Sequence, residues 1–379
     1  MRILHLVSCR GWSSDAYWAT RVAAELTRRG HAVTVGFRAG TESRVLDRAR
    51  REEGLTRTLT FHLSGGVRPA SDVSDVRRLG ALLRETDVVH VHRGKEHWLA
   101  AVANRLTRVS RPIVRTRHIS QAVRAHAGNR WLYGRATDLV VAVTEAIRRQ
   151  MIAGGVVAED RVVTLTGGAD AERYRPGPRD PEVYRWLGGD ADTVLIGMVS
   201  GFRLMKGHVL VVDAAEMLQQ MAVNARFAFV GRGPFEPAAR AAITARGLDD
   251  WFTLAGFAED LPAVMRALDL ALYVPLESEG MSRVVFESLA AGCALVASRM
   301  GVVPEVLVDG EHALLVPAGE ATALAAALAR LIGDSALRQR LGRAGRRLIE
   351  TRYSGAQVAA ALEAHYERLG RDGDTRRAA

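Results

Sequence analysis

Two glutamates in the second half of the chain, Glu279 and Glu287, stand either side of seven residues in ESEGMSRVVFESLAAGCALVAS, directly after the apolar run LALYVPL. A strand, a turn at Gly280 and a helix beginning near Ser282 would place the first carboxylate at the mouth of a loop and the second on the helix, accessible in a cleft. A carboxylate accepts several hydrogen bonds at once, which suits the paired hydroxyls of a sugar or a ribose. The amides of Gly280, Met281 and Ser282 would face outward at the helix start, where an anion is favoured. A second cluster, GMVSGFRLMKGH, carries Arg203 and Lys206 on a loop leading into a helix at Gly207. Cationic side chains beside free helix amides suit a phosphate. Of the 52 basic residues only Lys95 and Lys206 are lysines, and a compact ammonium differs from a planar guanidinium in how it meets phosphate.

The first half holds a different set. DVVHVHRGKEHW puts His90, His92, Arg93 and Lys95 at the end of one strand, and IVRTRH puts Arg115, Arg117 and His118 at the end of another. His90 and His92 alternate and so project from one face. They read either as packed core histidines or as a metal pair, for which no third ligand is evident. SCRGWSSDAYW sets Arg10, Gly11 and Trp12 after the first strand. Gly231 in VGRGP and Gly256 in LAGF, with Phe257 beside it, also follow strands, where glycine admits a ligand close to the backbone or simply makes a turn. Cys9 and Cys293 are the two cysteines, and there is no paired Cys/His spacing of the zinc type. No metal, cofactor or disulfide is expected, and the reducing cytoplasm is the expected setting.

These residues need strand ends to hold them, and the elements are legible. RILHLV, AVTVGF, DVVHVH, PIVRTRH, DLVVAV and RVVTL read as strands separated by amphipathic stretches, the rhythm of a parallel α/β sheet. After the Gly- and Pro-rich GGADAERYRPGPRDP the pattern restarts with TVLIGMVS, ARFAFVG, WFTLAGF, LDLALYV, ALVAS and ALLVP. The expected organisation is a first Rossmann-like domain over 1–168, a linker over 169–190 and a second Rossmann-like domain over 191–352. A C-terminal helix over 353–370 would pack back on the first domain, leaving a disordered tail over 371–379. Open sheets of this kind bind ligands outside the carboxyl ends of their strands.

Charge is lopsided. Residues 1–170 carry 28 Lys and Arg against 16 Asp and Glu, a net of +12, while 171–379 carry 24 against 26, a net of −2. Such a basic half suits nucleic acid, anionic lipid or a phosphate-bearing substrate. No apolar run approaches the roughly 18 to 20 residues that span a bilayer, and the short run before Cys9 lacks the parts of a secretion signal.

With these motifs in place the chain resembles glycosyltransferase family 4. The resemblance rests on Glu279 and Glu287 at their seven-residue spacing, on AAGCALVAS, on Gly301-Val302-Val303-Pro304-Glu305, which lacks the family's second glycine, and on DGEHALLVPAG. It is strong from Val194 to Gly319 and loose before Gly168. It implies a GT-B fold of two doubly wound domains facing across a cleft, and a retaining enzyme that moves a sugar from a nucleotide-diphosphate sugar to a hydroxyl. Glu279 would serve the donor sugar, Glu287 the ribose, Lys206 and Arg203 the leaving diphosphate, and His118 the anomeric centre. Many members place four residues between the Arg and the Lys; here there are two, so Lys206 is the firmer match. Gly11, Gly231, Phe257, Gly280, Met281 and Ser282 would line the donor, and Arg10, Trp12, His92, Lys95 and Arg117 the acceptor side. The expected acceptor is a saccharide, lipid-linked or other hydroxyl compound, in an anionic molecule or at an anionic membrane surface on which the protein would sit peripherally, with no nucleic acid. A nucleotide-sugar epimerase and a non-catalytic module binding anionic surfaces are the competing readings.

Overall fold

The computed structural model describes residues 1–51, 53–277 and 282–378. They form two compact units, Met1–Gly167 with Gly355–Ala379, and Gly168–Ser354. The first is built on seven parallel strands: β1 (Arg2–Val7), β2 (Ala32–Arg38), β3 (Thr58–Phe61), β4 (Val88–Val91), β5 (Ile113–Arg117), β6 (Leu139–Ala142) and β7 (Val162–Thr164). Their spatial order is β3-β2-β1-β4-β5-β6-β7. The second holds β8 (Val194–Val199), β9 (Ala225–Val230), β10 (Phe252–Gly256), β11 (Leu270–Tyr273), β12 (Ala294–Ser298) and β13 (Leu314–Val316), in the order β10-β9-β8-β11-β12-β13. Each order reverses once, between β1 and β4 and between β8 and β11. Helices cover both faces of such sheets, so the strands are largely apolar and buried; β4 and β6 are buried at every residue.

Several local expectations change. No element was read between Phe37 and Asp87, yet helices Ser43–Arg51 and Pro69–Arg84 flank β3 there. The first of these is mostly arginine on its outer side and buries only Val45 and Ala49, so little apolar periodicity marks it. The stretch expected as a linker over 169–190 belongs to the second unit. Ala169 N donates to Tyr353 O at 3.0 Å, and Arg346 Nη1 donates to the carbonyls of Ala171, Tyr174 and Ala290 at 2.7, 2.6 and 2.6 Å. It also contains the helix Pro181–Trp186, whose start is capped by Asp180 accepting from Glu182 N.

The last helix, Gly355–Ala378, returns to the first unit, and the expected disordered tail is helical as far as Ala378. Gly370 does not take the positive φ that would end it. Val358, Ala359, Leu362 and Tyr366 are buried, and Glu363 accepts hydrogen bonds from Arg29 Nε at 2.6 Å and His31 Nε2 at 2.7 Å. Among the described residues no helix is long and apolar enough to cross a membrane. Leu362 is fully buried, so Leu362→Ala should cost about 2–5 kcal/mol. Urea unfolding of the first unit, followed through Trp18, is expected to shift to lower urea while the Trp251 signal of the second unit holds. Equal shifts in both signals would contradict this assignment of the helix.

Candidate functional site

In the first unit the polar side chains gather where β1, β4 and β5 end. Glu96, fully buried in the first turn of the helix Gly94–Thr107, accepts from Ser8 N at 3.2 Å, Ser8 Oγ at 2.6 Å and Arg93 N at 2.6 Å. It thereby ties the loop after β1 to the loop after β4. Arg93 reaches across to Asp15, bonding through Nε and, at 3.1 Å, through Nη2. Burial alone would raise the Asp15 carboxyl, but the Arg93 guanidinium and the Ser13 hydroxyl hold it down at about 2.

Beneath this belt runs a line of imidazoles. Register places His5 beside His90, both on the face shared with Thr116. His118 Nε2 lies 3.2 Å from His92 Nδ1, and His92 Nε2 lies 3.2 Å from His5 Nδ1. The Tyr366 hydroxyl is 3.5 Å from His5 Nε2 and hydrogen-bonded to His90 Nδ1, and His90 Nε2 is 2.6 Å from Thr116 Oγ1. Trp18 packs against His90, His92 and His118 with centroid separations of 5.5–5.7 Å. Burial pushes His5 down to about 3, and His118 likewise to about 3 with the neighbouring arginines adding to the effect while Asp15 opposes it; His90 and His92 lie well below the ordinary value for the same reason. All four rings are therefore neutral at physiological pH, each with one N–H and one lone pair. His118 Nδ1 is buried with no hydrogen-bond partner among the described residues, so it is available to a ligand hydroxyl.

His5 is the third histidine that sequence spacing could not supply, and the ligand atoms of His5, His90 and His92 lie within 4.8 Å of one another. The His90 and His92 rings nevertheless stack at an interplanar angle of 15°. Their in-plane lone pairs run side by side instead of converging on one ion, so the arrangement favours hydrogen bonding over coordination.

Other expected residues divide. Gly11 faces Glu42, whose Oε1 would lie 3.0 Å from an added Cβ. Arg10 is exposed, and Trp12 sits edge-on to Tyr17 under the Arg48 guanidinium. Lys95, expected on the acceptor side, has its ammonium held at 2.7 Å by the Gly66 carbonyl and at 2.6 Å by Asp72. Arg117 donates to the carbonyl of Gln121 at 2.5 Å.

In the second unit the loop after β8 makes a short 3-10 turn, Leu204–Lys206, before the helix His208–Gln220. Gly207 takes φ +83°, and a Cβ there would meet the Val274 carbonyl, just past β11, at 2.2 Å. That approach holds the half-buried Lys206 and the exposed Arg203 beside the point where strand order reverses. Gly231 is equally constrained, with φ +151° and the Ser200 carbonyl 1.9 Å from an added Cβ. Phe257, 48% exposed, lies near the Arg232 guanidinium at the end of β10. His208, missed in the sequence, is buried, stacked on Phe202 and 3.3 Å from Ser200 Oγ.

Ser282 is buried and precedes the helix Arg283–Ala290. Glu287 was expected to be accessible, but it is 1% exposed and paired with Arg283 Nε at 3.0 Å. Burial raises its carboxyl, and the Arg283 charge and the Tyr174 hydroxyl offset only part of that. Its removal therefore carries a folding cost that the sequence did not suggest. Glu279, Gly280 and Met281 lie outside the described residues.

The buried imidazoles have a pH consequence. Below about pH 6.5 the unfolded chain binds protons that the folded one refuses, so stability is full above that value and falls as pH drops below it. His5 alone should contribute a slope approaching about 1.4 kcal/mol per pH unit. Urea midpoints of the first unit are expected to decline from pH 6.5 to 5, less steeply in His5→Phe. Midpoints unchanged over that range would show that these rings are not held neutral.

The model for Glycosyltransferase Family 4 matches residues 16–173, and that for Glycosyl transferases group 1 matches residues 187–348. The 2-deoxystreptamine glucosyltransferase of Streptomyces kanamyceticus is 28% identical over 92% of the chain and 97% of its own length. The sulfoquinovosyl transferase of Arabidopsis thaliana is 27% identical over 56% of the chain, which spans only 41% of that protein's length. Among solved structures, Anabaena HepE in complex with UDP and glucose superposes with a TM-score of 0.80, covering 97% of the chain and 99% of its own, at 20% identity. The two Rossmann-like sheets are those of the GT-B fold, and the chain belongs to glycosyltransferase family 4.

Proposed function

We propose that the protein transfers a sugar from a nucleoside diphosphate sugar to an acceptor hydroxyl, with retention at the anomeric carbon. The observation that carries this reading is the loop between β8 and the helix His208–Gln220, where the contact of Gly207 with the end of β11 fixes Lys206 at the carboxyl edge of the sheet. A departing diphosphate gains negative charge in the transition state, and a preorganised ammonium beside helix amides stabilises that charge most where water is excluded. Lys206 and Arg203 take this role, Glu287 binds the ribose, and Glu279 and His118 serve the transferred sugar. The names of the relatives support a sugar as the group moved, and the UDP and glucose held by HepE support a nucleotide donor. The acceptor is a saccharide or a lipid-linked glycan, met by the basic first unit. These cations do the work that a divalent metal does elsewhere.

The reaction is tested by mass spectrometry on a panel of sugar nucleotides. Release of nucleoside diphosphate supports transfer, whereas an isomerised donor without release would support the epimerase alternative. With the donor so found, Lys206→Ala is expected to lower kcat/KM by roughly 100- to 1000-fold. Glu287→Gln, which keeps the buried shape, should mainly raise the donor KM. Wild-type turnover in either variant at subsaturating donor would refute its assignment.

EDTA is expected to leave the rate unchanged. A loss restored by Mg²⁺ or Mn²⁺ would show that the side chains named here do not suffice at the diphosphate.

A further inference from the structure

Two guanidiniums inside the first unit have no counter-charge among the described residues. Arg115 and Arg117 alternate along β5 and so share a face, the one opposite Thr116 and the imidazole line. They are 4% and 8% exposed. Arg115 Nε and Nη1 and Arg117 Nε are buried without a hydrogen-bond partner among the described residues. The bonds Arg117 does make run to neutral groups, the carbonyls of Gln121 and Ile119 and the Tyr133 hydroxyl. The two charges also act on each other unfavourably. Glu96 and Asp15, buried carboxylates in the same unit, are committed to Ser8 and Arg93 and to Arg93 and Ser13. Placing a charge in the interior unpaired is costly, and placing two of like sign side by side is more so.

His97 closes the same region from the helix Gly94–Thr107, with the Tyr133 ring edge-on at 4.9 Å. The Thr137 hydroxyl donates to the Leu132 carbonyl at 2.6 Å, so His97 Nε2, 2.7 Å from Thr137 Oγ1, must be the donor in that pair. His97 Nδ1 is therefore a bare acceptor, and it too is buried and unpartnered. Burial, reinforced by the two arginines, keeps the ring neutral. The region offers several N–H donors on two positive charges and one lone pair. Beyond Arg117 the chain has no regular secondary structure until Ala127 and is exposed at most positions from Ile119 to His126.

We propose that Arg115, Arg117 and His97 form a socket for an oxyanion, a phosphate or a carboxylate, with a hydroxyl next to it, as carried by a sugar phosphate or an acidic sugar. The inference rests on the transferase reading, in which that anionic group belongs to the acceptor. Guanidinium forks bind both oxyanions in two-pronged fashion, and the His97 lone pair takes the neighbouring hydroxyl. The anion supplies the charge that the fold omits.

The test uses the whole protein in phosphate-free buffer, with glucose 6-phosphate and glucuronate as probes and glucose as the neutral control. Calorimetry and thermal unfolding should show binding and stabilisation by at least one acidic probe at millimolar concentration and none by glucose; which probe wins separates phosphate from carboxylate. Arg115→Met keeps the length of the side chain and removes the charge. It is expected to weaken the probe by about tenfold or more, while its melting temperature without probe equals or exceeds that of the wild type, because an unpaired buried charge has gone. Arg115→Lys should recover part of the affinity. Lys206→Ala, in the other unit, should keep the probe's effect. The proposal is overturned if the wild type binds neither acidic probe, if Arg115→Met binds within about threefold of wild type, if it melts lower without probe, or if Lys206→Ala alone abolishes the shift. Nucleoside diphosphate release is read separately. A socket that fails leaves that release intact, and a failed transferase reading leaves the socket's binding intact.

Discussion

A parallel sheet covered by helices on both faces leaves one place where polar side chains can meet ligands, the carboxyl edge of its strands. Both units obey this constraint, and the placement of their candidate site residues follows from it. In the second, Lys206, Gly231 and Phe257 sit just beyond β8, β9 and β10. In the first, His92, Arg93, Arg117 and His118 sit at or just beyond β4 and β5. Packing brings these loops close enough that backbone must stand in for side chain, which is why Gly207 and Gly231 lie against the carbonyls of Val274 and Ser200.

Burial acts differently on the two kinds of group at these edges. Imidazoles answer desolvation by giving up their proton, so His5, His90, His92 and His118 become a line of neutral donors and acceptors. Guanidiniums cannot make that adjustment within the accessible pH range. Arg93 is instead matched by Asp15, whereas Arg115 and Arg117 are matched by nothing charged among the described residues. The Glu287 carboxyl is intermediate: burial raises it and Arg283 answers part of the cost. The same physical penalty thus yields a hydrogen-bonding line, a structural ion pair and a candidate anion socket, according to which side chain meets it.

Much of this was legible in the sequence, and the reasons are specific. The alternation of apolar runs with amphipathic stretches gave both sheets, and glycines after strands pointed to Gly231. Between Phe37 and Asp87 the signal failed because β3 has only four residues, of which Phe61 alone is buried, beside an arginine-rich helix. His5 was read as part of an apolar strand, with no hint of partners 85 and 87 positions away. Tyr366 lies 276 residues from the His90 it bonds, and sequence spacing has no means of pairing them. Glu96 was overlooked in a segment whose histidines drew attention first. The burial of Glu287 was misjudged because charged residues on a helix usually face water, and the Arg283 partner one turn earlier is an ordinary feature of surface helices too.

The central claim is that the second unit binds the nucleotide at the carboxyl edge of its sheet, and backbone hydrogen exchange read by mass spectrometry with and without the nucleoside diphosphate of the donor found in the panel tests it most directly. The account predicts protection over residues 199–208, 230–234 and 283–292. Protection confined to the first unit, or none at millimolar concentration of that nucleotide, would contradict it.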